Sequence, residues 1–502
     1  MWWHLSYSRR AFKAPVADHS MEEAMKISER FQLNANQFEL DFIDIDTDID
    51  LPLFLDPAFL SVKQDSWSVN ANRTLKNFFQ TFVNLFRAGE MERARDLLNY
   101  LHEPNEICLG LSSDRPRGNA IGSVDGEKLF QSIITSRAVE TGVVEDLQDF
   151  RLFIDGIDRD KVSDMTVNII RLHLIDYTQA QCRLWLIPMQ RNAQSGFYWN
   201  RNTQAWETSF QEMLVVDQKP IILVPKAVVS YAKKYTPQKY YNKFVLEFLQ
   251  EDHIRRATPL VGHRRDGSPF VTKISLKERV APYSKGFLTD FTGRHPDVFA
   301  DFKNWIASDA KSLGNEELDG RESVFIAEYL KRKLGNVVAG ANGATEYHRV
   351  AVGILEFLLY PDVICPVVEA EIHDGRKRID IVFDNAATGG FFYRLHTIHQ
   401  TPAQFIFAEC KNYTREVANP EVDQLSGRFS MNRGKFGILL FRDAENMERL
   451  IQRCNDTYKD GRGVMIPIAD ADLITMLDRA INGDTSPYER FFSDRFRQVA
   501  LP

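Results

Sequence analysis

The run Phe405-Ile406-Phe407-Ala408 is apolar and closes on Glu409-Cys410-Lys411. About thirty residues earlier, Arg378-Ile379-Asp380-Ile381-Val382-Phe383 sets a second carboxylate among apolar neighbours. Alternate side chains of a β-strand share a face. Glu409 and Lys411 are therefore expected to project together, and pairing of the two strands would bring Asp380 to them. Two carboxylates and a lysine at one sheet edge can hold a hard divalent cation and support attack on a phosphodiester.

The elements that must position these groups follow from periodicity. Residues 345–359 predict an amphipathic helix with Val350, Ile354, Leu355 and Leu358 on one side. Residues 361–369, 378–383 and 404–410 predict strands, and 385–401 reads as a long loop. A helix over 419–429 places Pro420 at its first position. Strand 436–441, helix 445–458, strand 464–468 and helix 470–481 complete the order. Upstream, helical patterns fall at 70–101, 126–141, 160–183 and 240–249, with short strands at 211–216 and 220–225. A polar stretch around Gly314 suggests a connection. The expected division is an N-terminal α+β region over 1–310 that senses, binds or regulates, a linker and connecting helix over 311–339, and a C-terminal domain over 340–502.

A chain of 502 residues with 44% apolar and 26% charged residues, including 35 Phe, predicts large folded cores rather than disorder. The net charge of −7 argues against a generic basic nucleic-acid coat and leaves room for a local basic patch. Five scattered cysteines without a CxxC pair disfavour a disulfide framework or zinc site and fit a reducing compartment. No apolar run reaches the length of a membrane span, and the start of the chain lacks an apolar signal core, so cytoplasm is the expected location.

The order and residues over 340–485 resemble the PD-(D/E)xK nuclease superfamily, in particular its Mrr-like restriction-endonuclease branch. Asp380 matches the first acid, although Ile379 stands where the motif's name has proline, and Glu409-Cys410-Lys411 matches the E-x-K element. Glu346 fits an acid found early in the first helix, and Gln424 fits a glutamine common in the helix after E-x-K. The resemblance implies an α/β fold with a restriction-endonuclease-like core, a mixed sheet flanked by helices. It implies Mg²⁺, with Mn²⁺ able to substitute, held by Asp380, Glu409 and the Cys410 carbonyl, with Lys411, Glu346 and Gln424 assisting. DNA is favoured over RNA as substrate, in restriction or anti-phage defence, with a homodimer and a defence-system partner protein as further expectations. An RNA-cleaving nuclease and a catalytically silent nucleic-acid-binding scaffold remain as alternatives.

Cations that could meet a nucleic-acid backbone are Arg376, Lys377 and Arg378 just before Asp380, and Arg255, Arg256, Arg264 and Arg265 in the basic stretch 255–285. The acidic run Asp44 to Asp50 lacks the Gly and Glu that an EF-hand needs and reads as a strand edge with one solvated face. Gly110 to Gly122 lacks the Gly-Lys-Ser/Thr of a P-loop and reads as a turn before a helix, with anion binding as the lesser reading. His396 and His399 lack further ligands nearby, so zinc is disfavoured and substrate contact stays open.

Overall fold

The computed structural model describes residues 25–110, 124–136, 138–308, 310–368, 381–413 and 417–501. Asp380, Arg376, Lys377, Arg378 and most of the Gly110–Gly122 loop lie outside these residues. The chain is mixed α/β, with many helices and several sheets. No helix among the described residues is long and apolar enough to cross a membrane.

Helix α1 (Ser66–Arg87) is the long element of the first half. Its N-cap, Asp65, accepts from the Ser68 amide at 2.8 Å, which satisfies one of the free N–H groups of the first turn. Ala71, Leu75, Phe78, Phe79 and Phe82 recur at helical spacing and are buried. Helix α2 (Met91–Leu98) turns back on it after Gly89, whose φ of 77° suits a residue without Cβ. The helical pattern at 160–183 is two helices, Arg159–Ile169 and α3 (Arg171–Trp185). Strand β1 (Gln190–Gln194) is followed by the hairpin β2 (Tyr198–Asn200) and β3 (Ala205–Glu207), then β4 (Phe210–Val216) and β5 (Lys219–Ile221). β1, β4 and β5 form a small antiparallel sheet against which α3 packs. Helix α4 (Leu246–Arg255) comes next.

The acidic run Asp44 to Asp50 departs from the expected solvated strand edge in two ways: its first two residues, like 41–43 before them, are buried, while 46–50 are part-exposed or exposed, and the segment makes isolated bridges rather than a strand, Phe42 with Pro225 and Asp46 with Lys26. The reason is partnering. The Asp44 carboxylate accepts from the Ser28 amide at 2.9 Å and the Ser28 hydroxyl at 2.6 Å. The Asp41 carboxylate accepts from Tyr177 Oη at 2.6 Å and from the Cys365 amide at 3.1 Å. Buried carboxylates persist when their lone pairs are filled in this way.

Residues 311–339 contain the short helix Asn315–Asp319 and helix α5 (Ser323–Asn336). Helix α6 (Ala344–Leu359) then leads into a five-stranded sheet, β6 (Val363–Val368), β7 (Ile381–Asn385), β8 (Phe405–Lys411), β9 (Phe436–Phe441) and β10 (Val464–Ala469), in that spatial order. β6, β7 and β8 pair antiparallel, and β8, β9 and β10 pair parallel. β9 and β10 are buried throughout, as expected of parallel strands covered on both faces. The segment read as a long loop between β7 and β8 contains helix α7 (Gly390–Thr397). Phe391, Phe392 and Leu395 give it a buried face. Helices α8 (Asn419–Ser426), α9 (Met447–Lys459), α10 (Asp470–Ile481) and α11 (Glu489–Ala500) complete the chain, and α11 packs on α7.

The N-terminal region contacts the edge of this sheet directly. Helix α3 lies along β6, where Gln181 Nε2 donates to the Pro366 carbonyl at 3.0 Å. The first turn of α1 meets β7, where the Trp67 amide donates to Asp384 Oδ2 at 2.8 Å. Burial pushes the Asp384 carboxyl up to about 7, against the opposing pull of the Trp67 N–H. Its pKa in the folded chain lies above the ordinary 3.8, so its protonated form is favoured, and the stability this contributes is lost as pH rises through about 7. Asp384→Asn keeps an acceptor for Trp67 and cannot ionise. Thermal melts should show the variant gaining on the native chain from about pH 4 to about pH 8. A difference that stays constant over that range would refute this account of Asp384.

Candidate functional site

The carboxyl end of β8 gathers the polar groups that the sequence singled out. Residues 405–408 are β-formers or small apolar residues that fill the sheet, and the strand carries its charges only at the last turn of the pleat. Glu409 stands opposite Leu439 and Lys411 opposite Phe441 on β9. Both side chains are 1% exposed. Lys411 Nζ is ion-paired with Glu409 Oε1 and donates to Gln424 Oε1 at 3.1 Å. Gln424 reaches them from α8, which starts with Pro420 in its first turn and a Glu421 side chain that accepts from the Ala418 amide at 3.0 Å. Three of the residues predicted from the sequence therefore meet: Glu409, Lys411 and Gln424.

The second oxygen, Glu409 Oε2, is buried and has no hydrogen-bond partner among the described residues. A buried anionic oxygen without a donor is costly. It suits a hard cation, which prefers oxygen ligands. Cys410 lies between the two charged residues and belongs to the other face of the strand. Burial pushes its thiol up to about 12, so its side chain is a poor anionic ligand at neutral pH. On the neighbouring strand, Ile381 pairs with Ala408, the residue before Glu409. Asp380 precedes Ile381 in the sequence and lies outside the described residues. No cluster of three or more His, Cys, Asp or Glu side chains able to hold a metal occurs among the described residues.

Glu346 lies in the first turn of α6 and is exposed, unlike the buried pair on β8. Its helix is tied to the end of β8. Asn412 Nδ2 donates to the Val338 carbonyl at 2.9 Å and the Gly340 carbonyl at 2.8 Å, and the Gly340 amide donates to the Asn412 carbonyl at 3.0 Å. A Cβ on Gly343 would fall 1.9 Å from the Val338 carbonyl oxygen, so this close approach requires glycine. Asn412→Ala deletes two side-chain hydrogen bonds in a part-buried setting. It should destabilise the chain by about 1–3 kcal/mol in urea unfolding. An unchanged midpoint would show that the clamp does not seat α6.

A second group at the same end of the sheet was not anticipated. Arg442 follows β9 directly, and Asp470 follows β10. Arg442 Nε stands 3.2 Å from Asp470 Oδ2, and Tyr347 Oη on α6 donates to Asp470 Oδ1 at 2.8 Å. Burial pushes the Asp470 carboxyl up to about 6. Arg442 Nη1 is buried and has no hydrogen-bond partner among the described residues. The available signal was positional. Each charge follows the last apolar residue of a parallel strand, and in open α/β sheets ligands bind beyond those ends.

The remaining predicted contacts lie elsewhere. Arg255 and Arg256 are exposed at the end of α4 and share one carboxylate, Asp252, at 2.5 Å and 3.0 Å. Arg264 and Arg265 are exposed in the turn of a hairpin, Gly262–His263 with Pro269–Phe270. His396 Nε2 accepts from the Ala403 amide at 3.2 Å, and the His399 ring packs 4.3 Å from that of Phe496. Both histidines thus have packing or backbone-capping roles.

Residues 32–236 match the model of a family described as a domain of unknown function (DUF8370). That span ends before the five-stranded sheet begins. No curated protein and no solved structure matches the chain.

Proposed function

We propose that the C-terminal part of this chain is a Mg²⁺-dependent nuclease with a restriction-endonuclease-like core, acting on DNA in preference to RNA. The observation that carries this reading is the convergence of Lys411 Nζ on Glu409 and Gln424 at the carboxyl end of β8. The order of elements around that strand agrees with the Mrr-like resemblance.

Glu409 Oε2 is a buried carboxylate oxygen with no hydrogen-bond partner among the described residues, so the residues fit a hard cation. Glu409, Asp380 and the Cys410 carbonyl would hold it. When bound, Mg²⁺ would lower the pKa of a water and screen the charge of the scissile phosphate. Lys411 would place its ammonium beside the non-bridging phosphate oxygens, where negative charge grows on the way to the transition state. Gln424 would fix the Lys411 ammonium through its side-chain oxygen, so that little reorganisation accompanies reaction. Water exclusion around the pair strengthens each of these interactions. Arg376, Lys377 and Arg378 would meet the backbone near the site, and Arg255, Arg256, Arg264 and Arg265 would do so farther from it, giving salt-dependent binding without base readout. In the cell this activity would serve restriction or anti-phage defence in the cytoplasm, with two copies acting on opposite strands.

The test is a nicking assay on supercoiled plasmid with Mg²⁺, with EDTA, and with Lys411→Ala, run beside a labelled RNA. Mg²⁺-dependent cutting of plasmid that the variant lacks is the expected outcome. Cutting of RNA alone would replace DNA as the substrate. Gel-shift binding with no cutting of either would replace the enzyme by a scaffold.

A further inference from the structure

Helix α1 has two contrasting faces. One is buried through Phe78, Phe79 and Phe82. The other carries Asn77, Gln80 and Asn84 on successive turns and forms one wall of a cleft of about 540 Å³. The opposite walls come from the β2–β3 hairpin, with Gln204 and Trp206, and from the end of α2, with Tyr100. The volume suits a small organic ligand.

The hydrogen-bonding groups of the cleft are set in a definite pattern. Asn77 Oδ1 accepts from Trp199 Nε1 at 2.8 Å, which leaves its NH₂ as a donor. Gln80 Nε2 donates to Asn84 Oδ1 at 2.8 Å, which leaves the Gln80 oxygen as an acceptor and the Asn84 NH₂ as a donor. Donors and acceptors side by side complement the edge of a nucleobase, the geometry by which Asn and Gln read adenine. The Trp206 indole is held in place by donating to the Leu97 carbonyl at 3.0 Å. The Tyr100 ring lies 5.4 Å from it at an interplanar angle of 32°. Both rings are half-buried in an aromatic cluster with Phe197, Phe78 and Trp199, and both line the cleft, where they give a base an aromatic contact.

Charge narrows the ligand further. Arg93 lines the cleft but is paired with Glu90 at 2.5 Å, and Asp96 lines it as well. A phosphate seated inside the cleft would meet a wall whose described residues carry no surplus cation, so the part of a ligand that enters is the base and not its phosphates.

We propose that this cleft binds a nucleobase, offered either as a free nucleoside or as an unpaired base in a single strand. Such binding is independent of phosphodiester cleavage and is measured without divalent metal. The experiment is isothermal calorimetry on the full chain in EDTA, titrating each common nucleoside and, in parallel, short single-stranded DNA and RNA. At least one of these should bind saturably and bind about tenfold more weakly to Asn84→Leu, the loss of one or two hydrogen bonds. Gln204→Gly, which suits the left-handed backbone at that position (φ 51°), should weaken binding from the facing wall. Binding of a nucleoside identifies a free ligand, whereas binding of strands alone identifies an unpaired base within a chain. The proposal is overturned if nothing saturates at millimolar concentration, or if the folded variants bind as tightly as the native chain.

Discussion

Lys226→Ala is expected to lower the free energy of unfolding by about 3–5 kcal/mol, the usual cost of stranding a buried charge. Lys226 is 0% and Glu356 1% exposed, and Lys226 Nζ lies 3.4 Å from Glu356 Oε2. The ammonium also stands 4.2 Å from the centroid of the Tyr360 ring, a further favourable contact for a cation. Burial pushes the Lys226 ammonium down and the Glu356 carboxyl up, while their attraction opposes both shifts. Asp41 is buried nearby and adds a second acid to the same lysine. Removing Lys226 would leave two buried acids without their cation. Lys226 comes from the N-terminal region and Glu356 from α6, so the loss falls where α6 meets that region. A double-mutant cycle in urea separates pairing from packing. Lys226→Met with Glu356→Leu should be more stable than Lys226→Met alone. If the double variant is the less stable, the pair is not the source of the cost.

Lys411→Ala is expected to slow cleavage by about 10²–10³-fold, the effect of deleting one preorganised stabiliser of transition-state charge. The same substitution strands Glu409, which loses its cation and has no partner for Oε2 among the described residues. A divalent ion that binds this carboxylate would therefore stabilise the variant against unfolding through linkage. Mg²⁺ should raise the melting temperature of Lys411→Ala while cleavage stays slowed by that factor. Loss of activity without that rise would point to disruption of the strand rather than to a missing catalytic group.

The carboxyl-terminal third was legible because its signals are local. Strand 436–441 and helix 470–481 have the bounds expected of their apolar patterns. The shared face of Glu409 and Lys411 follows from the two-residue period of a strand. Helix α7 escaped notice because Gly389 and Gly390 read as loop. Its Phe391 and Phe392 pack on Phe492 of α11, with ring centroids 5.4 Å and 5.3 Å away, and on Phe436 of β9 at 5.8 Å and 6.0 Å, contacts that only the tertiary fold creates. Asp44 was read as lying on a solvated strand edge because its run is acidic. The residue that partners it, Ser28, is brought there by tertiary packing and leaves no local pattern. The Tyr347–Asp470–Arg442 group was missed for the same reason, since its members come from one helix start and two strand ends.

The most direct test of the site is an anomalous-scattering map from crystals of the full chain soaked in Mn²⁺. A peak about 2.0–2.6 Å from carboxylate oxygens of both Glu409 and Asp380, with Lys411 and Gln424 beside it, is the predicted result. Manganese bound only elsewhere, with Glu409 still closed on Lys411, would contradict it.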